Sequence, residues 1–236
     1  MRTCAGGSVR ISKRKSRRRS TIADPGTYSS DKPGPRGADE SCGPGVVPPL
    51  ARCPWSESHP LLLGYHDSEW GMPVHDDGLQ FEFLVLESFQ AGLSWLTVLK
   101  KRERFREAFH GFDPARIASY GESDLERLLR DEGIIRNEKK IRAAVTNARA
   151  FLALAEKEGS FSNWLWGFVE GEPIVGGWDA PEQVPSETPL SRLVSGELKR
   201  RGFTFMGPVV VYSHMQAVGL VNDHLRRCFR YGRSSS

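Results

Sequence analysis

Two pairs of soft ligands stand near opposite ends of the apolar-rich part of the chain: Cys53 with His66, thirteen residues on, and His224 with Cys228. The second pair has i, i+4 spacing, which on a helical turn puts both side chains on one face, within reach of one ion. Two thiolates and two imidazoles match the tetrahedral preference of structural zinc. Four protein ligands leave no open position for an activated water. A single zinc ion here would be a clasp joining segments some 170 residues apart, and not a catalyst. The first spacing is unusual for a zinc finger, and a buried free cysteine with surface histidines gives the same pattern, so spacing alone leaves both readings open. His59, His75, His110 and His214 have no comparable partner and read as surface or packing residues.

A second signal is Glu87, a carboxylate inside Leu84-Val85-Leu86-Glu87-Ser88-Phe89, with Phe83 and Ala91 one helical turn away on either side. A lone carboxylate on an apolar helix face is costly unless it is paired or hydrogen-bonded. Burial raises its pKa and poises it against a cationic or donor-bearing ligand. Trp55, Tyr65, Trp70 and Trp95 surround this stretch in sequence, and an indole face attracts a planar cation by ~2 kcal/mol or more once desolvated. An ionised acid among flat rings suits a flat, positively charged heterocycle. The competing reading is a core glutamate bonded to backbone amides or an arginine, with the tryptophans as packing.

A third signal lies in residues 128–141, which read as helix, glycine-containing hairpin, helix. Gly133 is expected to relieve the backbone at the turn, and the second helix opens beside Lys139 and Lys140. Exposed amides, a helix dipole and lysines form a site for a nucleic-acid phosphate that carries no sequence information. Most such hairpins bind nothing.

The elements that must position these groups are helical. Leu79 to Phe89 is apolar nearly all round and predicts a central buried helix. Ser94 can cap the next, running from Trp95 to Leu99 and into Lys100-Lys101-Arg102, and Asp113-Pro114 opens another. Ser123 to Arg130 is amphipathic, and a helical period resumes from Ile141 to Leu154. Seven Gly and Pro residues make 171–189 loop-rich, and Val209 to Leu220 predicts a last apolar helix. The pattern indicates an all-α domain over residues 51–230, followed by a disordered end at 231–236.

Residues 1–50 differ in composition: Gly-, Pro-, Ser- and Arg-rich, with ten Lys/Arg against four Asp/Glu, whereas the other 186 residues carry 23 against 25. The basic character therefore belongs to an N-terminal tail that is expected to be disordered. Its cluster from Lys13 to Arg19 fits nucleic-acid contact, an import or transit signal, a solvated linker or a start assigned too far upstream, and its Cys4 and Cys42 are expected to ligate nothing. No stretch approaches the roughly 18 apolar residues of a membrane-spanning helix.

Four stretches carry a resemblance to a known family: Tyr65 to Gly71, Gln90 to Arg102, Gly133 to Arg136, and Met215 to Ala217 with Gly219 to His224. Through them, residues 53–228 resemble bacterial 3-methyladenine DNA glycosylase I, an α-helical member of the helix-hairpin-helix glycosylases. The resemblance places a structural zinc on Cys53, His66, His224 and Cys228. It places the base pocket on Glu87, Tyr65 and Trp95, with Trp55 and Trp70 helping to wall it. Gly133, Lys139 and Lys140 fall at the backbone of double-stranded DNA carrying alkylated bases. Leu62 and Phe89 depart from residue types that relatives often carry, and both are expected to alter the pocket's shape. No Gly/Pro-Asp loop follows Ile141, and Asp223 reads as a helix cap or a partner of His224. The resemblance implies a monomeric, monofunctional enzyme that extrudes and hydrolytically excises 3-methyladenine, in the cytoplasm beside the nucleoid of a bacterium or in the nucleus or an organelle of a eukaryote. A non-catalytic, zinc-stabilised module recognising alkylated or distorted DNA is the alternative.

Overall fold

Capping residues and apolar periodicity set where the helices begin and which face they bury. The computed structural model describes residues 50–233; the expectations for the tail up to residue 49 and for 234–236 lie outside the described residues. Within them run α1 (Pro60–Ser68), α2 (Asp77–Gln90), α3 (Trp95–Leu99), α4 (Arg102–Ala108) and α5 (Pro114–Ala118). They are followed by α6 (Glu122–Arg130), α7 (Glu138–Glu158), α8 (Phe161–Trp166), α9 (Pro189–Arg200) and α10 (Pro208–Ala217). Ser94 caps α3 by accepting from the Thr97 amide, and Asp113 caps α5 by accepting from Ala115 and Arg116. Asn137 caps α7 through the Lys140 amide. Each such cap stabilises its helix by ~1 kcal/mol. None of these helices is long and apolar enough to cross a membrane.

The centre of the fold is α2, whose residues from Gln80 to Phe89 are all buried. It packs against α3, α7, α8 and α10. Phe81 meets Phe151 with ring centroids 5.1 Å apart, and Phe89 meets Phe105 at 4.8 Å. Phe89 thus faces the core and does not shape the pocket described below, and Leu62 is likewise packed away from it.

A second carboxylate on α2, Glu82, is fully paired. It accepts from Arg102 Nε at 2.6 Å and Arg106 Nη2 at 2.7 Å, and Arg102 Nη1 also reaches Glu69 at 2.6 Å. Arg102 lies over the Phe83 ring, 5.1 Å from its centroid. This network joins the end of α1 to α2 and α4. Removing one partner of a buried pair leaves an uncompensated charge, so Arg102→Ala is expected to destabilise the fold by ~3–5 kcal/mol. Chemical denaturation checks this, and a change below about 1 kcal/mol would mean that the network is solvent-screened.

Two local expectations are corrected. The all-α reading omitted a two-residue parallel pair, β1 (Ile174–Val175) with β2 (Val221–Asn222). It forms because α10 stops at Ala217, short of Leu220. There Gly219 takes φ +73, and a Cβ on it would lie 2.4 Å from the Met72 carbonyl carbon. The chain then runs extended beside the 171–189 segment. His224 consequently lies on irregular chain after β2 and Cys228 at a bend beyond it, neither of them on a helix. Asn222 Nδ2 also donates to the Arg233 carbonyl at 3.2 Å.

Candidate active site and metal-ligand cluster

The turns after β2 bring His224 and Cys228 onto the start of the described chain. The ligand atoms of Cys53, His66, His224 and Cys228 all lie within 4.8 Å of one another, and all four residues are buried. Cys228 Sγ stands 3.4 Å from His66 Nε2 and 3.5 Å from His224 Nδ1, and Cys53 Sγ stands 3.7 Å from His224 Nδ1. A tetrahedral ion with bonds of about 2.3 Å to sulfur and 2.0 Å to nitrogen requires S···N edges of about 3.5 Å. The donor set therefore fits such an ion.

The outer nitrogens are anchored as metal-bound imidazoles require. His66 Nδ1 bonds Asp67 Oδ1 at 2.7 Å, and Asp67 is gripped by Arg52 at 2.8 Å. His224 Nε2 bonds the Trp70 carbonyl at 3.1 Å. Hydrogen bonds from Cys53, His224 and His66 hold the Cys228 thiol well below its usual range, so the cluster already favours a thiolate. Asp223 is neither a helix cap nor a partner of His224. Its carboxylate accepts from Trp178, Tyr212 and Gln216 instead.

Beside this cluster opens a cavity of about 150 Å³, lined by Trp55, Tyr65, Trp70, Glu87 and Trp95. Every pocket residue expected from the sequence is thus at one site. Tyr65 and Trp95 have centroids 5.1 Å apart at 52°, and Trp55 meets Trp70 edge-on at 5.1 Å. The cluster and the cavity share a wall: Trp55 follows Cys53 by two residues, and the Trp70 carbonyl accepts from His224. Gln90, Ser213 and Gln216 complete the lining and were not anticipated. The signal was available, because Ser213 and Gln216 are polar residues at i, i+3 on a largely apolar helix.

Glu87 is the unusual member. It is 3% exposed, and its Oε2 finds no donor among the described residues. Unlike Glu82, it has no arginine. Burial alone pushes its pKa up to about 8, which favours the neutral acid while no cation faces it. The Trp95 indole N–H is also buried without an acceptor. Burial, and secondarily Glu87, hold the Tyr65 hydroxyl well above its usual range, so it remains a donor. The cavity accordingly presents unpartnered polar groups between aromatic walls, an arrangement suited to a flat heterocycle carrying a positive charge.

The hairpin between α6 and α7 differs from expectation in two residues. Gly133 is not in the left-handed region. It is needed because a Cβ there would meet Arg104 Cγ at 2.2 Å, while Arg104 binds Asp131 at 2.9 Å. Lys140 is buried, and its ammonium donates to the carbonyls of Phe89 at 2.8 Å and Ala91 at 2.6 Å, tying down the end of α2. It is therefore not a free surface cation. Lys139 is exposed. His59, His75, His110 and His214 have structural partners: the Leu61 amide, Trp166, Tyr120 and Gln80.

A mostly helical scaffold holds an aromatic, carboxylate-bearing cavity beside a buried Cys2His2 cluster. Residues 55–231 match the methyladenine glycosylase family. DNA-3-methyladenine glycosylase 1 of Escherichia coli is 47% identical over 182 residues, covering 77% of this chain and 97% of that protein. DNA-3-methyladenine glycosylase of Haemophilus influenzae is 46% identical over 179 residues, with coverage of 75% and 96%. Among solved structures, a 3-methyladenine DNA glycosylase I superposes with TM-score 0.74 at 49% identity, covering 77% of this chain and all of that one. The Staphylococcus aureus glycosylase I, described for its recognition of 3-methyladenine, gives 0.75 at 37%, with coverage of 78% and 98%. This chain belongs to the methyladenine glycosylase family.

Proposed function

We infer that this protein is a DNA-3-methyladenine glycosylase that extrudes the damaged nucleotide from double-stranded DNA and hydrolyses its N-glycosidic bond, acting as a monomer without a lyase step. The observation that carries the reading is Glu87, buried and unpartnered in an aromatic cavity. Methylation at N3 makes adenine a cation, which weakens the glycosidic bond and makes the departing base neutral. Extrusion places the base against the pocket walls, where it can be tested chemically.

In that pocket Tyr65 and Trp95 offer π-faces, and Glu87 offers the counter-charge. Normal adenine is neutral and cannot repay the ionisation of a buried acid. The alkylated base can, because its positive charge lowers the Glu87 pKa from about 8 and the acid ionises as the cation arrives. Selectivity thus comes from charge generated on demand.

We assign zinc to Cys53, His66, His224 and Cys228, on the donor set and its edge lengths. With four protein donors it supplies structure and no reaction at the sugar. Its consequence for the base is indirect, through the placing of Trp55 and Trp70.

Incubating methylated duplex DNA with the protein and identifying the released bases tests the activity. Release of 3-methyladenine is expected, and binding without release would instead indicate a recognition module.

Lys139 is the phosphate contact of the hairpin in this account, and Lys140 is not. Lys139→Ala is expected to reduce the slope of log affinity against log salt by about 0.9, whereas Lys140→Met leaves the slope unchanged. Lys140→Met should lower excision by loosening the end of α2. Equal slopes for both variants would contradict the assignment.

A further inference from the structure

Gln216 stands on the last turn of α10, in the wall between the aromatic cavity and a neighbouring one that Asp223 also lines. Its amide is not free to turn. Gln216 Nε2 donates to Asp223 Oδ2 at 2.7 Å, and a carboxylate can only accept, so the carbonyl end of the amide is left as its free end. Asp223 is 2% exposed and is itself fixed. Tyr212 donates its hydroxyl to Oδ2 at 2.5 Å, and Trp178 donates its indole N–H to Oδ1 at 2.7 Å.

The fold makes room for this arrangement. A Cβ on Gly176 would lie 2.3 Å from Trp178 Nε1 and 2.4 Å from Asp223 Oδ1, so the indole reaches the carboxylate only past a glycine. Pairing of β1 with β2 brings Gly176 alongside, its amide donating to the Asn222 carbonyl at 2.9 Å. The loop-rich segment thus fixes the Asp223 carboxylate, and through it the polarity of the Gln216 amide. Gln216 Oε1 has no donor among the described residues.

We propose that Gln216 is a specificity residue of the base pocket: its Oε1, turned outward by Asp223, accepts a hydrogen bond from the exocyclic amino group of a 6-aminopurine and disfavours a 6-oxopurine, which presents an acceptor there. Asp223 is the positioning residue. The proposal rests on the glycosylase reading, and it adds selection between alkylated purines to the selection for charge.

The sharpest test exploits the forced polarity. Trp178 can only donate, so in Asp223→Asn the new amide keeps its oxygen toward Trp178 and turns its NH2 toward Gln216. Gln216 then rotates and presents its own NH2 to the cavity. Inhibition constants for free 3-methyladenine and free 3-methylguanine are read by competition in the excision assay, with metal content measured because His224 is adjacent. Asp223→Asn is expected to weaken 3-methyladenine about tenfold and to tighten 3-methylguanine about tenfold, each step being ~1.4 kcal/mol. Equal weakening of both bases would overturn the proposal and leave Asp223 a packing residue. Should that variant fail to fold, Gln216→Met decides: about tenfold weaker 3-methyladenine with 3-methylguanine unweakened supports it, and unchanged 3-methyladenine overturns it. A wild type that releases no 3-methyladenine would instead reject the underlying activity, an outcome separate from either.

Discussion

Glu87→Gln is expected to lose about 100-fold in kcat/KM on methylated DNA while making the protein more stable at neutral pH. The catalytic loss follows from charge: ~2.7 kcal/mol is a modest share of the attraction between a cation and a carboxylate a few ångströms apart, once desolvation is subtracted. The stability gain follows from linkage. Glu87 has its folded pKa raised from 4.5 to about 8. Its contribution is therefore fully present below pH 4.5 and is lost as pH rises toward 8, because the unfolded chain ionises freely and the folded one does not. At pH 7 this penalty is on the order of 3 kcal/mol, and glutamine removes it, less the cost of a buried amide. Melting curves of both proteins between pH 4 and 9 check the sign: the wild type should lose stability relative to the variant across that window. The same titration shapes activity. Wild-type kcat/KM should rise with pH up to about 8, because cation capture requires the ionised acid, and the variant's profile should be flat there. A variant that is both active and less stable would refute the assignment.

Loss of the metal clasp is the second large effect expected. A zinc ion on the four side chains would join residues 53–66 to 224–228, and opening a loop of this length releases chain entropy of ~4 kcal/mol or more. Cys228→Ala should therefore bind substoichiometric zinc and melt roughly 10 °C lower, since ~1 kcal/mol shifts a domain of this size by a few degrees. Because Trp55 and Trp70 stand between the clasp and the cavity, free 3-methyladenine should bind it more weakly even at temperatures where it is folded. Elemental analysis, calorimetry and base binding separate these effects. A metal-free wild type of unchanged stability would reject the clasp.

Much of the site was legible because chemistry marks itself by residue type. Cysteine and histidine in a helical protein, and Glu87 within an apolar run, are conspicuous whatever the backbone does. What the chain could not disclose was partnership. Glu82 and Glu87 occupy the same helix in similar company, and only the arrival of Arg102 and Arg106 from α4 makes one structural and leaves the other available. Lys139 and Lys140 are neighbours in sequence, yet α7 buries one against the end of α2 and exposes the other. His224 and Cys228 had helical spacing, but Gly219 ended the helix through an approach to Met72 far away in sequence. The role of Asp223 depended on Trp178, placed by a strand pair two residues long, below what periodicity can register. Helix positions, by contrast, followed from local caps at Ser94, Asp113 and Asn137, which act within four residues of themselves.

The most direct measurement is a carbon-13 titration of the Glu87 carboxyl, assigned by comparison with Glu87→Gln, in the free protein and in its complex with an oligonucleotide bearing a non-cleavable cationic nucleotide. A midpoint near 8 in the free protein, with full ionisation at pH 7 in the complex, is the result expected. A midpoint near 4.5 in the free protein, unmoved by the cation, would contradict selection by a buried acid.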